Sequence, residues 1–234
     1  MNIAIIPARG GSKRIPHKNI RLFHGKPMLA WSLAAALASE LFDRILVSTD
    51  SEDIARVALE HGAEVPFVRP DKLADDYTGT NAVVKHALQW LLEHNEPIEY
   101  ACCIYATAPF LQPEFLRRGF ELLKERQSSF VFSVTSFPYP IQRSLRLLPQ
   151  GGVEPCFPEH IPKRSQDLED TYHDAGQFYW GRVDAFLNNL PVFAPAARPL
   201  VLPRHLVQDI DTPEDWLRAE LMFEAWRAMS NSTQ

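Results

Sequence analysis

Short apolar runs and amphipathic stretches alternate from the first residues up to Thr135. Ile3–Pro7 has the length and composition of a buried strand, and Met28–Ser39 is an alanine-rich helical segment that begins just after Pro27. Arg44–Ser48 (R-I-L-V-S) predicts the next strand, running out into Thr49 and Asp50. Over Glu52–Gly62, Ile54, Val57, Ala58 and His61 recur at helical spacing, and Gly62 supplies the stop. Val65–Val68 predicts a short strand. Thr80–His94 predicts a helix with Val83, Val84, Ala87, Leu88 and Leu91 on one face. Tyr100–Tyr105, Pro113–Arg126 and Phe130–Thr135 then predict strand, helix and strand.

Alternating strands and helices, with strands apolar throughout, predict a three-layer α/β fold: a mostly parallel sheet covered by helices on both faces. Ligands of such sheets bind beyond the carboxyl ends of the strands. Three polar clusters fall there: the loop after Ile6, Ser48–Asp50 (S-T-D), and Ala106–Pro109 (A-T-A-P). From Phe137 to Tyr172 the periodicity fades and prolines recur (Pro138, Pro140, Pro149, Pro155, Pro158, Pro162), which predicts an irregular, exposed arm over 137–172. Regular structure is expected again at Gln177–Trp180, Leu200–Leu202 and Leu206–Ile210, with a closing helix over Pro213–Met229. No internal repeat is visible, and residues 1–234 are expected to form one domain with the arm as its elaboration.

Composition narrows the partners. The net charge of -5 argues against nucleic acid or an anionic membrane. Residues 1–39 nevertheless hold Arg9, Lys13, Arg14, Lys18, Arg21 and Lys26 and no acidic residue, a local positive field suited to a small anion. No apolar run reaches membrane-spanning length, basic residues follow Ile3–Ile6 instead of preceding it, and the three cysteines form neither a disulfide nor a zinc pattern. These features predict a cytoplasmic protein.

Ala8–Asn19 follows a strand, as phosphate-binding loops do, although it carries neither of the common nucleotide fingerprints. Gly10 and Gly11 would let backbone N–H groups approach an anion, while Arg9, Lys13 and Lys18 offer charge-assisted hydrogen bonds. A solvated basic loop is the plainer alternative. Asp209 and Asp211, two apart on an expected strand, would share a face and could hold one Mg²⁺. The same stretch contains a capping box, Thr212 with Pro213 and Asp215, and the two roles are compatible. Gln177 and Tyr179 alternate on a strand and would face one side, leaving Phe178 and Trp180 to the core.

The loop, I-P-A-R-G-G-S-K-x-I-P-x-K-N-I over 6–20, resembles the opening motif of the CMP-sugar synthetases. The resemblance continues in F-D-R-I-L-V-S-T-D (42–50), R-P-D-K-L-A-D-D (69–76), T-A-P (107–109) and D-I-D-T-P-E-D (209–215), so it spans nearly the whole chain. Within that family the chain is most similar to the branch that activates pseudaminic acid, through Y-P-I-Q-R (139–143) and H-D-A-G-Q-F-Y-W (173–180). Arg14 stands where the sialic acid enzymes usually have Gly, and Tyr105 where they commonly have Gln.

The resemblance implies a Rossmann-like nucleotidyltransferase fold, and a reaction in which the anomeric hydroxyl of a nine-carbon α-keto acid sugar attacks the α-phosphorus of CTP. Arg9 and Lys18 match the catalytic, triphosphate-binding cations, and Asn19 the ribose contact. Ala8, Gly10, Gly11, Ser12 and Lys13 complete the nucleotide loop, and Arg69, Asp76, Thr78 and Thr80 fall in the stretch lining the cytosine pocket. Asp209 and Asp211 become ligands of Mg²⁺ (or Mn²⁺). Tyr105, Gln142, Arg143, Arg164, His173, Asp174, Gln177 and Tyr179 are the implied sugar contacts. The arm becomes a dimerisation element, with Gln142 or Arg164 completing the neighbour's site in a homodimer. Another nonulosonic or 3-deoxy-octulosonic acid is the nearest alternative substrate, and a non-catalytic CTP-binding module is the alternative of another class.

Overall fold

In the computed structural model, residues 1–126 and 128–231 are described. In chain order the elements are β1 (Asn2–Pro7), β2 (Leu22–Phe23), β3 (Lys26–Pro27), α1 (Met28–Ser39), β4 (Arg44–Ser48), α2 (Glu52–Glu60), α3 (Thr80–Glu93), β5 (Tyr100–Ile104) and α4 (Pro113–Arg126). There follow β6 (Phe130–Ser136), β7 (Leu145–Leu147), β8 (Val153–Pro155), β9 (Tyr172–Arg182), α5 (Val183–Leu187), β10 (Arg198–Val201) and α6 (Pro213–Asn231). Six strands form the main sheet in the order β10-β6-β9-β5-β1-β4. The paired strands run parallel except at β9, which is antiparallel to both β5 and β6.

Strand period explains the layers. In β1, Ala4 and Ile6 face one side and Ile3 and Ile5 the other, and all four are fully buried. The first side packs against α1, α2, α4 and α6 through Leu29, Leu33, Ile54, Leu116, Trp216 and Phe223. The second packs against α3 and α5 through Val84, Leu88, Leu91 and Phe186. This is the expected three-layer α/β arrangement. The carboxyl ends of β1, β4 and β5 are adjacent, so the loops that follow them meet at one edge.

Three expectations are corrected. Val65–Val68 is not a strand: only isolated bridges at Glu64 and Val68 touch β4's chain, because Pro66 lacks a ladder donor. Leu206–Ile210 is not a strand either. A 3₁₀ turn, Arg204–Leu206, takes up its first residue, and two of its carbonyls accept from side chains: Leu206 O from Gln177 and Ile210 O from Lys18. The arm is more ordered than its prolines imply, since β7 and β8 form a small antiparallel ladder between 3₁₀ turns. The strand expected at Gln177–Trp180 extends over all of β9, with Gly176 at φ +61° bending it where the β6 register shifts.

Candidate active site

The loop after β1 is pinned from several directions. Ala8 N donates to Ser48 O (2.9 Å), Gly10 N to Asp50 Oδ1 (2.9 Å), and Asn19 Nδ2 reaches back to Arg9 O (2.9 Å). Buried Ile15 anchors its middle. A Cβ at Gly10 would stand 3.0 Å from the Ser51 Cβ, so the backbone's close approach to the β4–α2 corner favours glycine there. Gly11 has no such constraint.

The loop's cations divide between two carboxylates. Arg9 Nη1 lies 2.6 Å from Asp76 Oδ1 and donates to Asp75 O at 2.7 Å, and Lys13 pairs with the other oxygen of Asp76. Arg14 Nη2 lies 2.9 Å from Asp211 Oδ2, while Lys18 Nζ lies 3.2 Å from Asp211 Oδ1 and donates to Ile210 O at 2.6 Å. Hydrogen bonds from Lys13 and then Arg9 hold the Asp76 carboxyl below its ordinary range. Asp209 behaves oppositely. Protein crowded around its carboxyl, and then the charge of Asp211, push its pKa up against the pull of Lys18.

These groups surround a cavity of about 540 Å³ lined by Arg9, Ser12, Lys13, Arg14, Lys18, Asn19, Arg69, Asp76, Thr78, Thr80, Tyr105 and Asp211, among others. Arg69, only 4% exposed, lies under it. Its Nε donates to Ser48 Oγ (3.2 Å), its Nη2 donates to Ser48 O, and burial lowers its pKa to about 10, so it stays cationic at neutral pH. Thr80 and Tyr105 also line an adjoining, more apolar pocket of about 190 Å³, together with Asp174, Tyr179, Val192 and Phe193. There the Tyr179 hydroxyl donates to Asp174 Oδ2, and burial raises both the Tyr105 and Tyr179 phenols.

The remaining expected residues are not gathered. Gln142 donates to Glu169 O, Arg143 to Lys163 O, and Arg164 pairs with Asp167 at 2.9 Å; none of the three lines either cavity. His173 packs on Phe137. Gln177, 2% exposed, donates to Leu206 O (2.6 Å) and holds the chain before Asp209 instead of facing the cavity. Phe178 and Trp180 are core, as expected. Asp209 and Asp211 do not share a strand face. Asp209 instead sits with its Cγ 3.7 Å from where a Cβ on Gly176 would be, which brings β9 against it. The capping box is present: Thr212 Oγ1 accepts from Asp215 N (3.2 Å), and Asp215 accepts from Thr212 N (2.8 Å).

Residues 3–180 match the family model described as "Cytidylyltransferase". The chain belongs to the cytidylyltransferase family. It is 46% identical, over 95% of its length and 96% of the relative's, to a pseudaminic acid cytidylyltransferase of Campylobacter jejuni. A CMP-N,N'-diacetyllegionaminic acid synthase of Legionella pneumophila is 34% identical, with 95% and 96% covered. A solved structure of CMP:2-keto-3-deoxy-manno-octonic acid synthetase complexed with CTP has a TM-score of 0.70 at 15% identity, with 96% and 98% of the chains covered. That likeness shows a shared fold.

For a cytidylyltransferase the geometry adds residues that motif reading gave no role. Asp50 fixes the loop through Gly10, the Asp75 carbonyl holds Arg9, and Leu73, Val83 and Thr107 line the cavity. The signal for Asp50 was its place at the end of β4; Leu73 and Val83 look like ordinary packing residues in sequence. Arg14 was noticed as a departure, and the structure places it in the cavity wall against Asp211.

Proposed function

We propose that this cytidylyltransferase activates pseudaminic acid with CTP, giving the CMP-sugar and pyrophosphate by in-line attack of the anomeric hydroxyl on the α-phosphorus. The observation that carries the nucleotide half is the convergence of Arg9, Lys13 and Lys18 on one cavity at the carboxyl end of β1. Phosphoryl-type transfer asks the protein for positioning and charge stabilisation more than for covalent chemistry. Arg9 and Lys13 suit the triphosphate oxygens, and Lys18, held by Ile210 O, suits the charge that grows on the departing pyrophosphate. Asn19, Thr78, Thr80 and Arg69 shape the nucleoside side. The C. jejuni relative, similar from end to end, supports pseudaminic acid as the sugar.

The residues present fit a divalent cation, Mg²⁺ or Mn²⁺. Asp209 and Asp211 are hard oxygen donors; burial raises the pKa of Asp209 and the charge of Asp211 adds to it, a repulsion that a dication would relieve. Two carboxylates, completed by water and substrate phosphates, suit Mg²⁺, and among the described residues no larger His, Cys, Asp and Glu cluster competes. Bound there, the ion supplies Lewis-acid neutralisation of phosphate charge.

The arm exposes Tyr139, Leu147, Phe157 and Ile161, and a second copy of this chain is the proposed cover, with Gln142 or Arg164 completing the neighbour's sugar site. Consumption of CTP and the buried, unpaired thiols of Cys102 and Cys103 fit a cytoplasmic enzyme. The test is pyrophosphate release in reactions lacking, in turn, CTP, pseudaminic acid and divalent cation. The proposal expects release only in the complete mixture; CTP binding without release would leave a non-catalytic module.

A further inference from the structure

The proposed reaction brings two anions together. The anomeric carbon whose hydroxyl attacks the α-phosphorus also bears the sugar's C1 carboxylate, so that carboxylate must settle close to the triphosphate. In a partly desolvated cavity such repulsion requires a cation beside the reacting oxygen. It also requires that this cation stand in the same cavity as the triphosphate groups.

That requirement sorts the candidates. Within their own chain Arg143 and Arg164 are off the cavity and occupied with Lys163 O and Asp167, so the role proposed for Arg164 is at the neighbour's site. Arg69 is buried and donates to Ser48. Arg9 and Lys13 share Asp76. The Lys18 side chain is 18% exposed, and its ammonium is split between Ile210 O and Asp211. Arg14 differs from all of these. Its side chain is 64% exposed, it lines the cavity, and its Nη2 already holds a carboxylate oxygen there, Asp211 Oδ2 at 2.9 Å. Among the described residues nothing accepts from its Nε or Nη1, so its planar fork keeps donors for a bidentate carboxylate.

We infer that Arg14 binds the C1 carboxylate of the sugar. The inference rests on the reading above that a nonulosonic acid is the second substrate. Arg14 and Lys18 grip opposite oxygens of Asp211, so a substrate carboxylate at Arg14 lies next to the cation assigned to the leaving pyrophosphate. The same placement makes Arg14 a specificity residue: it favours α-keto acid sugars over neutral ones by a charge-assisted pair the latter cannot form.

The test is a double-mutant cycle on the whole protein. Arg14→Ala and Arg14→Lys are compared with wild type, using the sugar acid and its neutral C1 carboxamide, run on whichever nonulosonic acid the wild type activates best. All such acids carry the C1 carboxylate, so poor turnover of pseudaminic acid would count against the substrate reading alone. In wild type the carboxamide should cost about 10- to 100-fold in kcat/KM, the worth of a charge-assisted bond. In Arg14→Ala that cost should shrink to about threefold or less, the sugar KM should rise, and the CTP KM should stay within about twofold. Arg14→Lys should recover part of the loss. An unchanged carboxamide cost in Arg14→Ala overturns the inference. So does a rise confined to the CTP KM, which would make Arg14 a triphosphate ligand.

Discussion

The loop after β1 and the arm at 137–172 are both polar, exposed and rich in candidate binding residues, yet the structure treats them differently. The loop's cations converge within one chain, because three parallel strands end side by side and hydrogen bonds from Ala8, Gly10 and Asn19 fix its backbone. The arm's candidates, Gln142, Arg143 and Arg164, bond to near neighbours on the arm itself. A site built on sheet ends is organised before any ligand or partner arrives; a site on an extension has to be organised by something else. On the present account that something is a second copy of the chain.

The largest effect that separates the two regions is expected at Lys18. Lys18→Ala should lower kcat/KM by about 10²–10³-fold, as removal of a preorganised charge stabiliser does, with little change in thermal stability. Arg164→Ala should cost about 10-fold, and mixing it with Lys18→Ala should restore about a quarter of wild-type activity if the two residues serve one site from different subunits of a symmetric dimer. No recovery on mixing would return Arg164 to a local role with Asp167. Asp76→Asn frees Arg9 and Lys13, so inorganic pyrophosphate should bind about two- to fivefold tighter by calorimetry, the worth of an exposed ion pair. Weaker binding would make Asp76 a direct partner of the nucleotide. The smallest effect is structural. Thr212→Ala removes the cap of α6 and should cost about 1 kcal/mol in denaturant unfolding, with kcat/KM within about twofold.

The main-sheet strands and the helices before Thr135 were legible because each is buried on a face whose period the side chains repeat, as in Val83, Val84, Ala87, Leu88 and Leu91 of α3; Val65–Val68, short and interrupted by Pro66, was misread as a strand. The phosphate loop was legible because residues 1–39 hold six cations and no carboxylate, which is rare in an acidic chain. Three things were hidden. Leu206–Ile210 looks strand-like, but the Leu206 and Ile210 carbonyls are taken by Gln177 and Lys18, which are distant in sequence. The beginning of β9 is polar, and its pairing with β6 depends on a bend at Gly176 that composition does not announce. Asp76 looked like a cytosine-side residue; its pairing with both Arg9 and Lys13 depends on a fold contact between loops far apart in the chain.

The cavity under the β1 loop is proposed to carry a CTP-dependent transfer to pseudaminic acid. Its most direct test is kcat/KM for pyrophosphate release with CTP, measured in parallel for pseudaminic, N,N'-diacetyllegionaminic and sialic acids. Pseudaminic acid is expected to be used best, by about 10-fold or more, the discrimination a few misplaced polar contacts produce. Equal or better use of sialic acid would contradict it.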